Sequence, residues 1–180
     1  KEKAELYKRE YKEYILTDPN CLGAYVFFWG AKQERTPTWY GMFMADGAKT
    51  QAVDIMHELW RGEWPANRAP VLDSLRIDGL NPHSSITLQT KTMHTANVWA
   101  VDPENKNLQY RWEILHETKD KRTGGDEEQK PPAADIDKLI KSGNELTFSA
   151  PKEPGPYRLF VYAYDPAGNG AHANIPFYVK

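Results

Sequence analysis

The sequence has 180 residues, of which 40% are hydrophobic and 27% charged, and this composition is typical of a globular protein with room for one domain and an attached unit. The formal net charge of -2 arises from interspersed acidic and basic residues, which excludes the basic surface expected of a protein that binds nucleic acid or anionic lipid. The single cysteine, Cys21, excludes an internal disulfide, and no apolar run reaches the roughly 20 residues that a membrane-spanning helix needs.

The chain begins with a helical pattern followed by an apolar run. Between residues 4 and 16, apolar residues recur every three or four positions, which predicts an amphipathic helix. Residues 21–29 are apolar without alternation, which predicts a strand covered on both faces, as in a parallel α/β sheet. The polar residues 30–38 predict an exposed loop at the end of that strand. Since the first residue is not methionine and no signal-like stretch follows, we expect the sequence to be part of a longer protein.

A second helix and a linker follow. Helical spacing predicts a helix from Thr50, a suitable N-cap, to Trp60, with Gly62 beyond its end. Residues 65–70 contain two prolines and show no period. We therefore place a linker there, between a first unit of residues 1–64 and a second of residues 71–180.

Beyond the linker the hydrophobic period becomes two. Apolar and polar residues alternate over residues 95–100, 108–115 and 173–179, and further strands are predicted at 72–77, 86–89, 146–149 and 157–164. Turn signals separate these segments, so the pattern predicts an antiparallel β-sandwich of immunoglobulin-like type. The predicted fold class is α+β overall, with a short α/β segment followed by an all-β sandwich.

Two residues are typical of immunoglobulin-like sandwiches. Tyr157 opens a predicted strand, where it matches a tyrosine corner, and Trp112 lies mid-strand, where such domains bury a tryptophan. Residues 119–130 are charged and predict a mobile loop, whereas residues 134–141 predict one or two helical turns.

Candidate catalytic and metal-binding residues are few. Glycoside cleavage usually needs two carboxylates, yet Glu34 alone follows the predicted buried strand, and next to Lys32 and Arg35 it is more typical of a solvated ion pair. The five histidines lack metal-binding spacing, so we expect neither a metal nor a cofactor. Asp102 and Asp165 open loops rich in oxygen ligands that could hold Ca²⁺, but we favour their simpler role as turn formers.

Aromatic residues are abundant, with six tryptophans and ten tyrosines. Five aromatic residues are predicted on the outward faces of the sandwich: Trp99, Phe160, Tyr162, Tyr164 and Tyr178. Such rings form either a platform for sugars or a surface that docks on a neighbouring unit. Because a companion unit is joined by a short linker, docking is the more economical interpretation.

The first third of the chain resembles the last β/α unit of a (β/α)₈ glycoside hydrolase, through residues 21–30 with their terminal Phe28-Trp29-Gly30, residues 32–41 and the closing helix. Residues 67–70 and the sandwich resemble the immunoglobulin-like C-terminal module of secreted glycoside hydrolases from gut Bacteroidetes. The resemblance implies that Trp29 stacks on the sugar, and that Glu34, Arg35 and Trp39 line the mouth of the cleft.

The catalytic acid and nucleophile of that family come from strands four and seven, which this sequence lacks, so we expect no hydrolysis by the chain alone. The leading hypothesis is the C-terminal part of an exported glycoside hydrolase that acts on polysaccharide, with the sandwich bracing the rest of the barrel. Its expected partners are a carbohydrate and that barrel. The alternative is a carbohydrate-binding module that uses Trp99, Tyr162, Tyr164 and Tyr178. A third possibility is an adhesion or cell-surface protein whose sandwich binds another protein.

Overall fold

The structure, a computed structural model, describes residues 1–37, 39–120, 122 and 125–180. Thr38, which ends the predicted loop 30–38, lies outside the described residues, as do Lys121, Thr123 and Gly124 of the predicted mobile loop. Helix α1 comprises Glu2–Glu10 and continues as a π-helical turn over Tyr11–Ile15, and α2 comprises Gln51–Arg61. The strands are β1 Val71–Ile77, β2 Thr87–Leu88, β3 Met93–Val101, β4 Gln109–His116, β5 Leu139–Ser142, β6 Glu145–Ser149, β7 Gly155–Tyr164 and β8 Gly170–Val179.

The eight strands form two four-stranded sheets that pack face to face. One sheet has the order β1-β3-β6-β5 and the other β2-β8-β7-β4, and neighbouring strands are antiparallel except for the short β2, which is parallel to β8. Residues from both sheets form the core, among them Val98, Leu146, Phe148, Leu159 and Ile175, which are completely buried. Each such side chain contributes roughly 1.5–3 kcal/mol by leaving water, so packing holds the sandwich together without a disulfide.

The β-sandwich predicted from the period-two pattern is confirmed. Trp112 of β4 is buried in the core, and Tyr157 of β7, 2% exposed, donates a hydrogen bond to the Glu153 carbonyl at 3.0 Å. This bond closes a tyrosine corner. The helical turns predicted at residues 134–141 are wrong, because residues 139–142 pair with β6 as an edge strand and Leu139 packs against the core.

Helix α2 follows the prediction closely. The Thr50 hydroxyl accepts a hydrogen bond from the Ala52 amide at 3.4 Å and donates one to the Met42 carbonyl at 2.7 Å. Gly62 ends the helix with φ of 78°, a left-handed conformation that glycine adopts without steric cost. Ile55 and Met56 of this helix are buried in a second apolar cluster with Ala4 of α1 and Met42.

The predicted α/β unit of a barrel is wrong. The described residues of 1–64 contain no β-strand, and residues 21–30 form no ladder with any other described segment. Val26 packs against the apolar cluster of α2, whereas Tyr25 and Phe27 on either side of it are exposed. Residues 21–29 therefore lack an apolar–polar alternation in sequence without being buried on both faces. Val26 packs inward, whereas on the other side Trp29 contacts Phe43 and Trp60 and stays half exposed.

The N-terminal residues are attached to the sandwich by a buried polar junction and an apolar contact. Asp54 of α2, 1% exposed, forms an ion pair with Lys49 and accepts a hydrogen bond from the Ala69 amide at 2.6 Å. Met44 is buried against Leu115, Phe160 and Tyr162 on the outer face of the second sheet. Strand β1 begins at Val71, and the division into units of 1–64 and 71–180 with a linker at 65–70 stays a prediction.

No helix among the described residues combines the length and the apolar character that crossing a bilayer requires. The expected export of the protein stays a prediction.

Candidate functional site

Exposed aromatic rings lie together on the N-terminal residues and form what we call the aromatic surface, defined by Tyr25, Phe27, Trp29, Trp39, Tyr40 and Trp60. Tyr25 is fully exposed, Phe27 is 78% exposed and Trp29 is 52% exposed. Such exposure is unusual for side chains that normally fill cores or interfaces.

Ring contacts join the members of this surface into two groups. Tyr25, Phe27 and Trp29 follow one another at every second position and share one side of the chain. The Phe27 ring lies 5.0 Å from that of Tyr40, and the Tyr40 ring lies 6.2 Å from that of Trp39. At the other end, Trp29 lies 5.8 Å from Trp60, measured between ring centroids.

The inner side of residues 24–30 explains why the outer side faces water. Ala24, Val26 and Phe28 are partly buried, and Val26 packs on the apolar cluster that α2 contributes. Burial alternates with a period of two here, and the backbone bends at Phe27, Trp29 and Gly30. Its packing on one side places Tyr25, Phe27 and Trp29 on the other.

A close backbone crossing fixes the end of this run of residues. The Gly30 carbonyl accepts a hydrogen bond from the Phe43 amide at 3.1 Å. A Cβ atom at Gly41 would lie 2.4 Å from the Gly30 carbonyl oxygen, so the two backbones approach this closely because residue 41 has no side chain.

The backbone of residues 22–29 is unpaired within the described part of the chain. The Gly23 carbonyl accepts a bond from the Cys21 thiol at 3.4 Å, and no backbone amide or carbonyl of residues 22–29 bonds to another described backbone group. Unpaired amides and carbonyls beside exposed apolar side chains are available to a partner that supplies hydrogen bonds of its own.

The structure separates the four residues predicted to bind substrate. Trp29 and Trp39 belong to the aromatic surface. Glu34 pairs with Lys32 at 3.4 Å, and both side chains are partly buried. The Arg35 amide donates to the Glu128 carboxylate at 2.7 Å, and the Arg35 guanidinium donates to the Asp120 carbonyl at 2.8 Å. Arg35 therefore attaches the N-terminal residues to the loop after β4, and binding roles for these four residues stay predictions.

The aromatic residues of the sandwich do not form a platform. Phe160 and Tyr162 are buried beneath Met44, and the docking of the five rings on a neighbouring unit stays a prediction. Trp99 on β3 and Tyr178 on β8 are half exposed but belong to different sheets. Burial and a hydrogen bond to Glu113 raise the pKa of Tyr162, which is thus a neutral donor.

The two oxygen-rich loops use their carboxylates within the fold. Asp102 accepts hydrogen bonds from the Glu104 and Lys106 amides, and Asp165 accepts them from Asn67 and Asn169. No group of three or more His, Cys, Asp or Glu side chains suited to a metal ion occurs in the described ranges. The turn-forming role that the sequence favoured accounts for these bonds.

Comparisons with known proteins give weak structural similarity alone. No protein-family profile and no curated protein matches this sequence. Among solved structures, PcoC, a methionine-rich copper resistance protein from Escherichia coli, is 17% identical with a TM-score of 0.35, covering 62% of this chain and 99% of that one. CopC from Methylosinus trichosporium OB3b is 13% identical with a TM-score of 0.32, covering 62% of this chain and 93% of that one. Murine CRIg is 12% identical with a TM-score of 0.33, covering 62% and 96%.

The resemblance to a glycoside hydrolase is wrong. The comparisons found PcoC, CopC and CRIg, and no family profile supports a hydrolase. The residues that carried the resemblance lack the barrel strand. The predicted polysaccharide-degrading function, the carbohydrate and barrel partners and the alternative of a carbohydrate-binding module are therefore wrong as well. For that alternative, Tyr162 is buried rather than available to a sugar.

The sequence contained part of the signal for the aromatic surface. The apolar residues 21–29, which do not alternate with polar ones, predict a segment that must be shielded from water, and the resemblance implied that barrel strands shield it. The contributions of Tyr40 and Trp60 were missed, because each is distant in sequence from the run and a helical pattern had placed Trp60 on the apolar face of α2.

Proposed function

We propose that this protein is a non-catalytic docking module that binds an extended polypeptide by strand addition to residues 22–29, with the sandwich as its rigid support. The observation that carries this proposal is an apolar chain segment without backbone–backbone hydrogen bonds, next to a set of exposed aromatic rings. The division into units of 1–64 and 71–180 is part of the proposal.

The size of the aromatic surface supports a protein partner. With each ring offering about 200 Å² when fully exposed, the six side chains leave roughly 700 Å² of mainly apolar area in water. Monomeric proteins rarely expose contiguous apolar patches beyond a few hundred Å², and larger patches usually mark an interface. A standard protein interface buries about 800 Å² on each partner.

The unpaired backbone of residues 22–29 limits which kinds of partner can cover it. Removing the amides and carbonyls of residues 22–29 from water is costly unless the partner supplies hydrogen bonds of its own. An extended polypeptide supplies donors and acceptors at the spacing of a β-ladder, whereas a purely apolar ligand supplies none. Cross-strand contacts with Tyr25, Phe27 and Trp29 would then add side-chain selectivity.

The attachment to the sandwich supports the role of a rigid holder. Met44 packs on the outer face of the second sheet, Lys49 and Asp54 form a buried junction, and Arg35 binds Glu128. A preformed surface loses less conformational entropy on binding than a mobile one, so these contacts favour affinity.

Copper binding is not the function that the side chains favour, although PcoC is a methionine-rich copper resistance protein. Met42, Met44 and Met56 are buried in apolar clusters, and their thioethers are thus occupied in packing. The fourth methionine, Met93, lies half exposed on β3.

The proposal is tested by titrating the full chain with a short synthetic peptide of alternating valine and threonine with lysines at both ends. We expect protection of the amides of residues 22–29 from hydrogen exchange and a change in tryptophan fluorescence. The matched control is the same peptide N-methylated at alternate residues along one edge, which removes its ladder donors and should abolish binding. Equal binding of both peptides would contradict strand addition.

Single-residue variants test whether the peptide binds at the aromatic surface. Phe27→Ser removes an exposed ring and should weaken peptide binding at least about tenfold, as the loss of an interface anchor does. Trp99→Ser removes a half-exposed ring on β3 and should leave binding unchanged. The docking role is wrong if the peptide leaves residues 22–29 unprotected, or if both variants bind it like the parent protein.

A further inference from the structure

We infer that a cavity between the N-terminal helix and residues 24–26 binds a small quaternary ammonium ion. The cavity has a volume of about 260 Å³, somewhat below that of the pockets that hold drug-sized ligands, so it suits a ligand of few atoms. Three tyrosines, one carboxylate and two deeper apolar side chains line it: Tyr7, Tyr11, Tyr14, Glu10, Val26 and Met56.

The three tyrosines come from one side of the N-terminal helix. They follow one another at spacings of four and three residues, which brings side chains of a helix together on one face. Tyr7 and Tyr11 pack against the apolar cluster of α2, which holds them in place, whereas Tyr14 is 67% exposed. The cavity therefore has a fixed inner wall and an open outer one.

The helix changes its geometry beside the cavity. Its last turn, Tyr11–Ile15, is π-helical, and the Leu16 amide donates to the Tyr11 carbonyl at 3.1 Å. The extra residue in such a turn shifts the side chains that follow around the helix axis. π-Helical turns are rare and occur frequently at functional sites, which favours a binding role for this one.

The charges around the cavity favour a cation. Glu10 lines it, and no lysine, arginine or histidine among the described residues does so. The Lys8 amine lies elsewhere, 3.3 Å from the Glu58 carboxylate and 5.0 Å from the ring centroid of Trp64. Burial, and next to it the negative charge of Glu10, raise the pKa of the Tyr7 phenol, which therefore stays neutral. The faces of neutral aromatic rings attract cations.

The apolar part of the lining favours a quaternary ammonium ion over a primary one. A primary ammonium is strongly hydrated, and leaving water is costly unless several acceptors replace that hydration. The methyl groups of a quaternary ion instead pack against apolar surface, which Val26 and the buried Met56 supply here. Aromatic rings around such an ion are the best-known use of the attraction between cations and ring faces.

The test is an NMR titration of the full chain with choline chloride, in which sodium chloride keeps the ionic strength constant. We expect saturable shifts of the amide signals of residues 7–15, an upfield shift of the choline methyl signal from the ring faces, and a dissociation constant of about 1 mM. The matched control ligand is the neutral alcohol in which a quaternary carbon replaces the nitrogen. It keeps the shape and loses the charge, so it should bind at least about fivefold more weakly.

Variants of exposed residues locate the binding. Tyr14→Leu removes a ring and Glu10→Gln removes the carboxylate, and each should raise the dissociation constant of choline at least about threefold. Glu13→Gln is the matched control, because Glu13 is exposed on the same helix and does not line the cavity, and its effect should stay below about twofold. Circular dichroism checks the fold of each variant.

Four results would each overturn the ammonium site: no saturation at about ten times the expected dissociation constant, equal affinity for choline and the neutral alcohol, unchanged choline affinity in Tyr14→Leu or Glu10→Gln, or an equal loss in Glu13→Gln. Phe27→Ser, which should weaken peptide binding, should leave choline binding unchanged, because Phe27 does not line the cavity. The two binding experiments use different ligands and variants, so failure of one leaves the other standing.

Discussion

Replacement of Lys49 by methionine should destabilise the protein through the carboxylate that it leaves behind. Asp54 is 1% exposed and pairs with Lys49, which also donates to the Asn67 carbonyl at 2.8 Å. Methionine keeps most of the side-chain volume and removes the cation. Breaking a buried ion pair costs about 3–5 kcal/mol, and we take the lower end, about 3 kcal/mol, because the Lys49 side chain keeps partial contact with water. For a chain of this size that corresponds to a fall in Tm of roughly 6–12 °C.

Urea unfolding followed by circular dichroism and tryptophan fluorescence measures this loss. Adding Asp54→Asn to Lys49→Met removes the uncompensated charge but keeps an acceptor for the Ala69 amide, so the double variant should recover at least half of the lost free energy. Lys141→Met on the exposed face of β5 is the control and should change stability by less than about 0.5 kcal/mol. A loss below about 1 kcal/mol in Lys49→Met, or no recovery in the double variant, would refute a charge-stabilised junction.

Three further predictions concern the tyrosine corner at Tyr157, the close approach of Gly41 to Gly30, and the loss of stability at low pH. Tyr157→Phe deletes the hydrogen bond to the Glu153 carbonyl and should lower the free energy of unfolding by about 1–2 kcal/mol in urea titrations. Gly41→Ala places a Cβ against the Gly30 carbonyl, so it should displace residues 22–29, seen as faster amide exchange there. Burial, with the nearby Lys3 cation, lowers the pKa of His172 to about 3 from its usual 6.5. Because the unfolded chain then binds more protons, stability should be full above about pH 6.5 and fall as the pH drops towards 3, less steeply in His172→Gln when Tm is measured against pH.

Each of these has a contrary result. The tyrosine corner would be unimportant if Tyr157→Phe unfolds at the same urea concentration as the parent. Gly47→Ala is the control for Gly41→Ala, because a Cβ at residue 47 would meet no atom within 4 Å, although the φ of 86° there adds a small cost. Equal amide-exchange rates at residues 22–29 in the two variants would contradict the close approach of Gly41 to Gly30. Parallel stability curves for His172→Gln and the parent below pH 6.5 would remove His172 from the acid response.

The sandwich was predictable because its signals are local. Alternation along β3, β4 and β8 exposes one side of each strand and buries the other, and a register shift of one residue would exchange the two faces. Thr50 and Gly62 likewise mark the ends of α2 through hydrogen bonds and φ values within a few residues. β5 was not predicted as a strand, because its conformation depends on pairing with β6 and not on an apolar–polar alternation in its own sequence.

The candidate site depended on contacts between residues distant in sequence. An apolar run such as residues 21–29 shows that a segment gains free energy by leaving water, but the neighbour that covers it can come from anywhere in the chain or from another molecule. Met44 packs on the outer face of the second sheet, and Trp60 lies beside Trp29. Both contacts join residues distant in sequence, so neither is visible in a local pattern.

The sequence by itself determined which segments are strands and helices in most of the sandwich and in α2, since hydrogen bonding and burial within those elements repeat with a period written in the residues. Tertiary structure decided that Val26 packs on the apolar cluster of α2 while Tyr25, Phe27 and Trp29 keep half or more of their surface in water. The physical reason is that the hydrophobic effect has no direction: it fixes how much surface must be covered, and only the packing of distant elements fixes which side stays uncovered.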